Sequence, residues 1–268
     1  MAHLVAASSP KRLRDVMRTA SRLRYLAWRA TPIRRQITLR LRGGERIVVR
    51  PPPSGDLSVA FEIFVAELYR SPRPLPAVSR IVDVGANVGF SVTYLARRFP
   101  TATVTAFEPH PAHLLQLARN VKANHLGDRV TVIPAAAGAA SGRGFLSDAG
   151  ECSRLVLEAA QDGIEVPIAD FFAAIGDEPI DLLKMDCEGG EHALVMDDRF
   201  AALRIAAIVL EWHAGPYPAA DETRLQRRLL DLGFEIETGT AQALGDRRWG
   251  MLWAYHRDRS RIATGAGQ

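Results

Sequence analysis

The chain has 268 residues, 47% hydrophobic and 24% charged, enough to bury a sizeable core in one catalytic domain plus an N-terminal extension. No window approaches the roughly 18 apolar residues of a spanning helix, the start lacks the order of a signal peptide, and two cysteines, Cys152 and Cys187, are too few for a disulfide framework or zinc cluster; a cytoplasmic protein is expected. The net charge of +4 hides an asymmetry, because residues 1–50 carry a local +11 and the remainder −7.

In residues 11–28 the apolar Leu13, Val16, Met17, Ala20, Leu23 and Ala27 recur at helical spacing among arginines, which predicts a basic amphipathic helix. Residues 1–35 therefore read as a basic arm that packs on its own domain or makes peripheral contact with an anionic membrane. Residues 36–78 read as a leading hairpin around Gly43 and Gly44, then a helix with Asp56 as N-cap that runs through Phe61 and Phe64 to Tyr69, closed by Pro72, Pro74 and Pro76. Residues 79–258 read as the catalytic domain and 259–268 as a disordered tail.

Within that domain strands and helices alternate. Strands are expected at 80–84, 103–107, 130–133, near 164–166, at 180–185, 205–210, 234–238 and 250–255, with an irregular Gly/Ser-rich stretch before residue 153. Such alternation predicts an α/β, Rossmann-like fold whose mainly parallel sheet is covered on both faces, with the ligand at the carboxyl ends of the strands.

The first motif is Ile81-Val82-Asp83-Val84-Gly85-Ala86-Asn87-Val88-Gly89-Phe90, an apolar strand that turns through two glycines into a helix. Gly85 and Gly89 let the backbone approach a ligand where a Cβ would collide. The Gly-x-x-x-Gly spacing is not the Gly-x-Gly-x-x-Gly of nicotinamide sites, and Asp83 would repel a pyrophosphate but welcome the ammonium of a methionine moiety. Glu108, followed by Pro109, ends the next strand 25 residues after Asp83, where a carboxylate can accept hydrogen bonds from both ribose hydroxyls. S-adenosyl-L-methionine is the cofactor this combination favours, with Asp83, Gly85, Asn87, Gly89, Phe90, Glu108, Pro109 and Asp186 as its expected contacts.

The second motif is Asp181-Leu182-Leu183-Lys184-Met185-Asp186-Cys187-Glu188-Gly189-Gly190-Glu191, with Glu211-Trp212-His213 after a further apolar strand. Together with the first motif this resembles the FkbM family of S-adenosylmethionine-dependent methyltransferases over roughly residues 56–255. The order of Lys184, Asp186, Glu188, Gly189 and Glu191 is its most specific part. The resemblance implies a class I methyltransferase fold, a seven-stranded sheet with its last strand antiparallel, and methyl transfer to a hydroxyl, typically of a sugar, glycan or natural product.

Methylating an alcohol at neutral pH calls for a general base. Asp186 and His213 are the candidates, with Glu211 to orient His213 or hold a substrate hydroxyl and Lys184 to keep Asp186 ionised. Asp186, Glu188, Glu191 and Glu211 offer hard oxygen ligands, but no metal is expected because the family motif does not require one. Trp212, Trp249, Trp253 and the aromatics between Phe61 and Tyr69 read as core. Competing readings are an NAD(P)-dependent oxidoreductase and a nucleic-acid methyltransferase using the basic arm; the second lacks a base-methylation motif, so no nucleic-acid partner is expected. Acceptor specificity is assigned to the loops at 139–153 and 215–222.

Overall fold

The computed structural model describes residues 10–31, 35–146, 155–156, 163–214, 222–239, 241–244 and 247–258. The expected disordered tail at 259–268, residues 1–9, and most of the two acceptor loops lie outside them.

The N-terminal segment forms two helices, α1 (Pro10–Val16) and α2 (Thr19–Ala30), where one was expected over 11–28. The break falls at Met17, which bridges to Leu41, while the Arg18 amide donates to the Arg40 carbonyl at 2.9 Å. Hydrogen bonding to the neighbouring hairpin thus interrupts the helical ladder. Leu13, Met17 and Tyr25 are buried in the same apolar cluster as that hairpin, β1 (Ile37–Arg40) and β2 (Arg46–Val49).

Helix α3 (Asp56–Phe64) begins after Gly55, which occupies the cap position expected for Asp56. The Asp56 carboxylate is instead buried and forms a forked pair with Arg50, its closest contact at 2.7 Å. The helix also stops at Phe64, five residues before its expected end, so Tyr69 is carried on the irregular segment that follows.

The chain continues with β3 (Arg80–Val84), α4 (Phe90–Arg98), β4 (Thr103–Phe107), α5 (Pro111–Ala123), β5 (Val130–Ile133), β6 (Ala136–Gly138), β7 (Gly142–Leu146), β8 (Leu155–Val156), β9 (Ile164–Asp170), α6 (Phe171–Ile175), β10 (Ile180–Met185), α7 (Gly190–Met196), β11 (Ile205–Ala214), α8 (Glu222–Asp231), β12 (Phe234–Thr238), β13 (Gln242–Leu244) and β14 (Arg247–His256). The main sheet runs β12-β14-β11-β10-β3-β4-β5, with β13 added beside β14. Strand β14 is antiparallel to both neighbours and the other pairings along the path are parallel.

Burial on both faces explains the near-continuous apolar strands. In β10, Leu182 packs with α4 and the N-terminal elements, whereas Leu183 packs with α6, α7 and α8. Trp212, Trp249 and Trp253 are buried, and none lines the crevice described below.

One expected strand belongs elsewhere. The segment near 164–166 lies in β9, which joins a separate four-stranded sheet of order β6-β9-β7-β8. The Gly/Ser-rich stretch before it supplies β7, antiparallel to β9. This small sheet stands next to β5 and walls one side of the crevice.

Candidate active site

The turn after β3 is held by three left-handed residues, Gly85 (φ 80°), Asn87 (φ 49°) and Gly89 (φ 81°). A Cβ on Gly85 would run into the backbone carbonyl of Asp186, so glycine is required by both conformation and space. The Gly85 and Ala86 amides donate to the Phe107 carbonyl at 3.1 and 2.9 Å, tying the turn to the end of β4.

Glu108, just beyond β4, is buried. Its Oε2 accepts from the Asn87 amide at 2.8 Å and its Oε1 from the His110 amide at 2.8 Å, with His113 Nδ1 at 3.5 Å from Oε1. The carboxylate thereby clamps the glycine turn to the N-terminus of α5, whose first residue is Pro111 and whose cap is His110. Each carboxylate oxygen keeps further acceptor capacity.

Asp83 does not face the crevice. Parallel register puts it directly beside Lys184, and the Lys184 ammonium meets its Oδ1 at 2.9 Å, both side chains being buried. Ser91 donates to the other oxygen at 2.6 Å. The lysine also donates to the carbonyls of Gly85 at 2.6 Å and Val84 at 3.3 Å. Lys184, expected beside Asp186, is thus paired directly with Asp83 and feels Asp186 through its charge, and the Asp83 carboxylate, expected to face a ligand ammonium, is turned to Lys184. Burial lowers the lysine pKa, but Asp83 and Asp186 outweigh it and the net shift is upward.

Asp186 follows β10 and accepts a 2.9 Å hydrogen bond from the Tyr69 hydroxyl. Burial, then the charges of Asp186 and Glu211, push the Tyr69 pKa well up, so the phenol stays a donor. One carboxylate oxygen each of Asp186 and Glu211 and one ring nitrogen of His213 lie within 4.8 Å of one another. Burial first, and then the charges of Asp186, Glu188 and Glu62, hold the Glu211 pKa well above the carboxylate range against the opposing effect of His213.

His213 is gripped by Glu191, a fully buried side chain whose Oε1 accepts from the His213 amide at 2.9 Å and lies 3.2 Å from Nδ1. Its Nε2 lies 3.6 Å from Glu188. Burial alone would lower the imidazole pKa, but the hydrogen bond and charge of Glu191, with Glu188 and Asp186, push it up to about 10. Burial raises the Glu191 pKa and His213 more than offsets it.

These elements enclose a crevice of about 1020 Å³, solvent mouth included, at the carboxyl ends of β3, β4 and β10. Gly85, Asn87, Phe90, Glu108, Pro109, Lys184 and Asp186 all line it; Asp83, Gly89, Glu211 and His213 do not, Glu211 standing beside Asp186 and His213 beside Asp186 and Glu188, which both line it. Tyr69 and Glu62 also line it and were missed as site residues. Glu62 had a readable signal, an acid in the apolar run Val59-Ala60-Phe61-Glu62-Ile63. Tyr69 had a weaker one, as the last of the aromatics from Phe61 that could line a pocket but read as core, and its position depends on the chain leaving α3 early.

Strand order, the antiparallel last strand and a glycine turn facing an acid at the next strand end define a class I methyltransferase domain. Residues 83–236 match the sequence model of the Methyltransferase FkbM domain, and the chain belongs to this family of methyltransferases. It is 27% identical over 235 residues to Methyltransferase sdnD of Sordaria araneosa, covering 74% of this chain and 88% of that protein. It is 38% identical over 77 residues to Methyltransferase 1 of Beauveria bassiana, covering 28% of this chain but only 30% of that protein. Among solved structures, the Methyltransferase FkbM from Methylobacillus flagellatus KT is similar at 18% identity with a TM-score of 0.48, over 74% of this chain and 47% of that one.

Proposed function

We propose that the chain transfers a methyl group from S-adenosylmethionine to a hydroxyl of a sugar, glycan or other small natural product. The observation that carries this reading is the adjacency, at one crevice, of a glycine turn with a ribose-type acid and a part-buried cluster of Asp186, Glu211 and His213. The residues present fit the donor. Gly85, Asn87 and Phe90 bring the glycine turn to the crevice, the Glu108 carboxylate is available to the ribose hydroxyls, and Ala136, Ala137, Leu146 and Leu155 offer an apolar wall to the adenine.

The bound donor supplies an electrophilic methyl carbon with a neutral thioether as leaving group. The chain's own task is alignment, and holding acceptor oxygen and methyl in line contributes roughly 7–11 kcal/mol. Of the two candidate bases, Asp186 takes the hydroxyl proton, since it lines the crevice and His213 does not. Its Tyr69 hydrogen bond fixes the carboxylate in the crevice wall, and a positioned base contributes about 10²- to 10⁴-fold.

The test is incubation of the purified chain with isotopically labelled S-adenosylmethionine and a panel of sugar and natural-product acceptors, with products fragmented by mass spectrometry. Label recovered as a methyl ether supports the reading. Label recovered only on nitrogen or carbon contradicts it.

A further inference from the structure

We propose that Asp186, Glu211 and His213 bind a divalent metal ion at the edge of the crevice. This goes beyond the donor site and rests on the hydroxyl-acceptor reading above for what the ion would do there.

The three side chains come from the ends of two adjacent parallel strands, β10 and β11. Their ligand atoms lie within 4.8 Å of one another, just beyond the roughly 4.0–4.6 Å that separates opposite ligands of one ion at 2.0–2.3 Å, so small side-chain shifts would bring them onto a single ion. Glu211 provides a second, separate observation. Its residue is only 7% exposed, and among the described residues no hydrogen bond reaches its carboxylate, which instead converges on Asp186 and His213. A buried carboxyl group without donors, turned towards a second carboxylate, is costly to ionise unless a cation joins them.

The histidine is also built as a ligand would be. Metal-bound imidazoles characteristically give their other ring nitrogen to a carboxylate that fixes ring and tautomer. Glu191 does this at Nδ1, and is itself fully buried and pinned by the amides of Gly189 and His213 at 2.9 Å each. That leaves Nε2, which faces Glu188 at 3.6 Å, as the ligand nitrogen once the ion displaces its proton.

Two carboxylates with one imidazole suit a hard or borderline ion such as Mg²⁺ or Mn²⁺. An ion there would stand beside the wall that Asp186 lends to the crevice, where it would lower the pKa of the acceptor hydroxyl and so ease transfer of its proton to Asp186.

Mn²⁺ is the probe. The full chain is stripped with chelator and titrated with Mn²⁺ by calorimetry and by electron paramagnetic resonance, which reads loss of the free-ion signal. Glu211→Gln and Asp186→Asn are titrated alongside, their folding checked by circular dichroism. The proposal expects one saturable site in the parent, weakened by more than about 10-fold in either folded variant. No saturable binding in the parent, or binding that both folded variants retain, overturns it. If one variant does not fold, the other decides. S-adenosylhomocysteine is titrated into the same metal-free protein, so the two readings fail separately: homocysteine-adduct binding without Mn²⁺ binding sinks the metal alone, and Mn²⁺ binding without adduct binding sinks the donor assignment while the metal site stands.

Discussion

The Lys184 ammonium lies 2.9 Å from the Asp83 carboxylate with both side chains buried, so the two sequence motifs are joined by one ion pair between adjacent parallel strands. Its lysine also holds the Gly85 carbonyl, which couples the pair to the glycine turn. The pair therefore stabilises the cradle rather than contacting a ligand.

Breaking that pair on one side leaves a charge stranded in the core. Lys184→Met is expected to destabilise the fold by about 3–5 kcal/mol in urea titrations, whereas Asp83→Leu combined with Lys184→Met costs much less than the two single changes added together. Additive effects would show that the two charges do not depend on each other.

Gly85→Ala forces a left-handed φ on a residue with a Cβ and drives it into the Asp186 carbonyl. A stability loss of about 1–3 kcal/mol is expected, with weaker S-adenosylhomocysteine binding because the turn can settle only by moving away from β10. A variant that melts and binds like the parent would contradict the assigned turn geometry.

Much of this site was legible in the sequence, for identifiable reasons. Acids and glycines at strand ends have fixed spacing along the chain, so Gly85, Gly89, Glu108 and Asp186 are readable from local order alone. Alternation correctly puts Lys184 on the opposite face of its strand from Leu183. What alternation cannot supply is register against a neighbouring strand, and register is what gives Lys184 to Asp83. The same limit hid the second sheet, since Ile164–Asp170 reads as a strand but nothing local says which sheet it joins. The N-terminal helix was overextended because Met17 is held by a long-range bridge to Leu41 that helical periodicity does not encode.

Glu108→Gln keeps the shape of the clamp between Asn87 and His110 but removes its charge. Affinity for S-adenosylhomocysteine is expected to fall about 10- to 100-fold, the worth of roughly 1.5–3 kcal/mol for hydrogen bonds to a charged group. Calorimetry checks this, and unchanged affinity would remove Glu108 from the ribose site.

Tyr69→Phe deletes only the hydroxyl that holds Asp186. As Tyr69 acts through Asp186, kcat is expected to fall about 10-fold while the KM for S-adenosylmethionine stays within about 2-fold. A change confined to KM would instead mark Tyr69 as a donor contact.

The most direct test of the central claim is calorimetric titration of the purified chain with S-adenosylhomocysteine and, in parallel, with NADH. Micromolar binding of the adduct, weakened in Glu108→Gln, with no binding of NADH, is the predicted result. Absence of adduct binding, or a preference for NADH, would contradict the methyltransferase account.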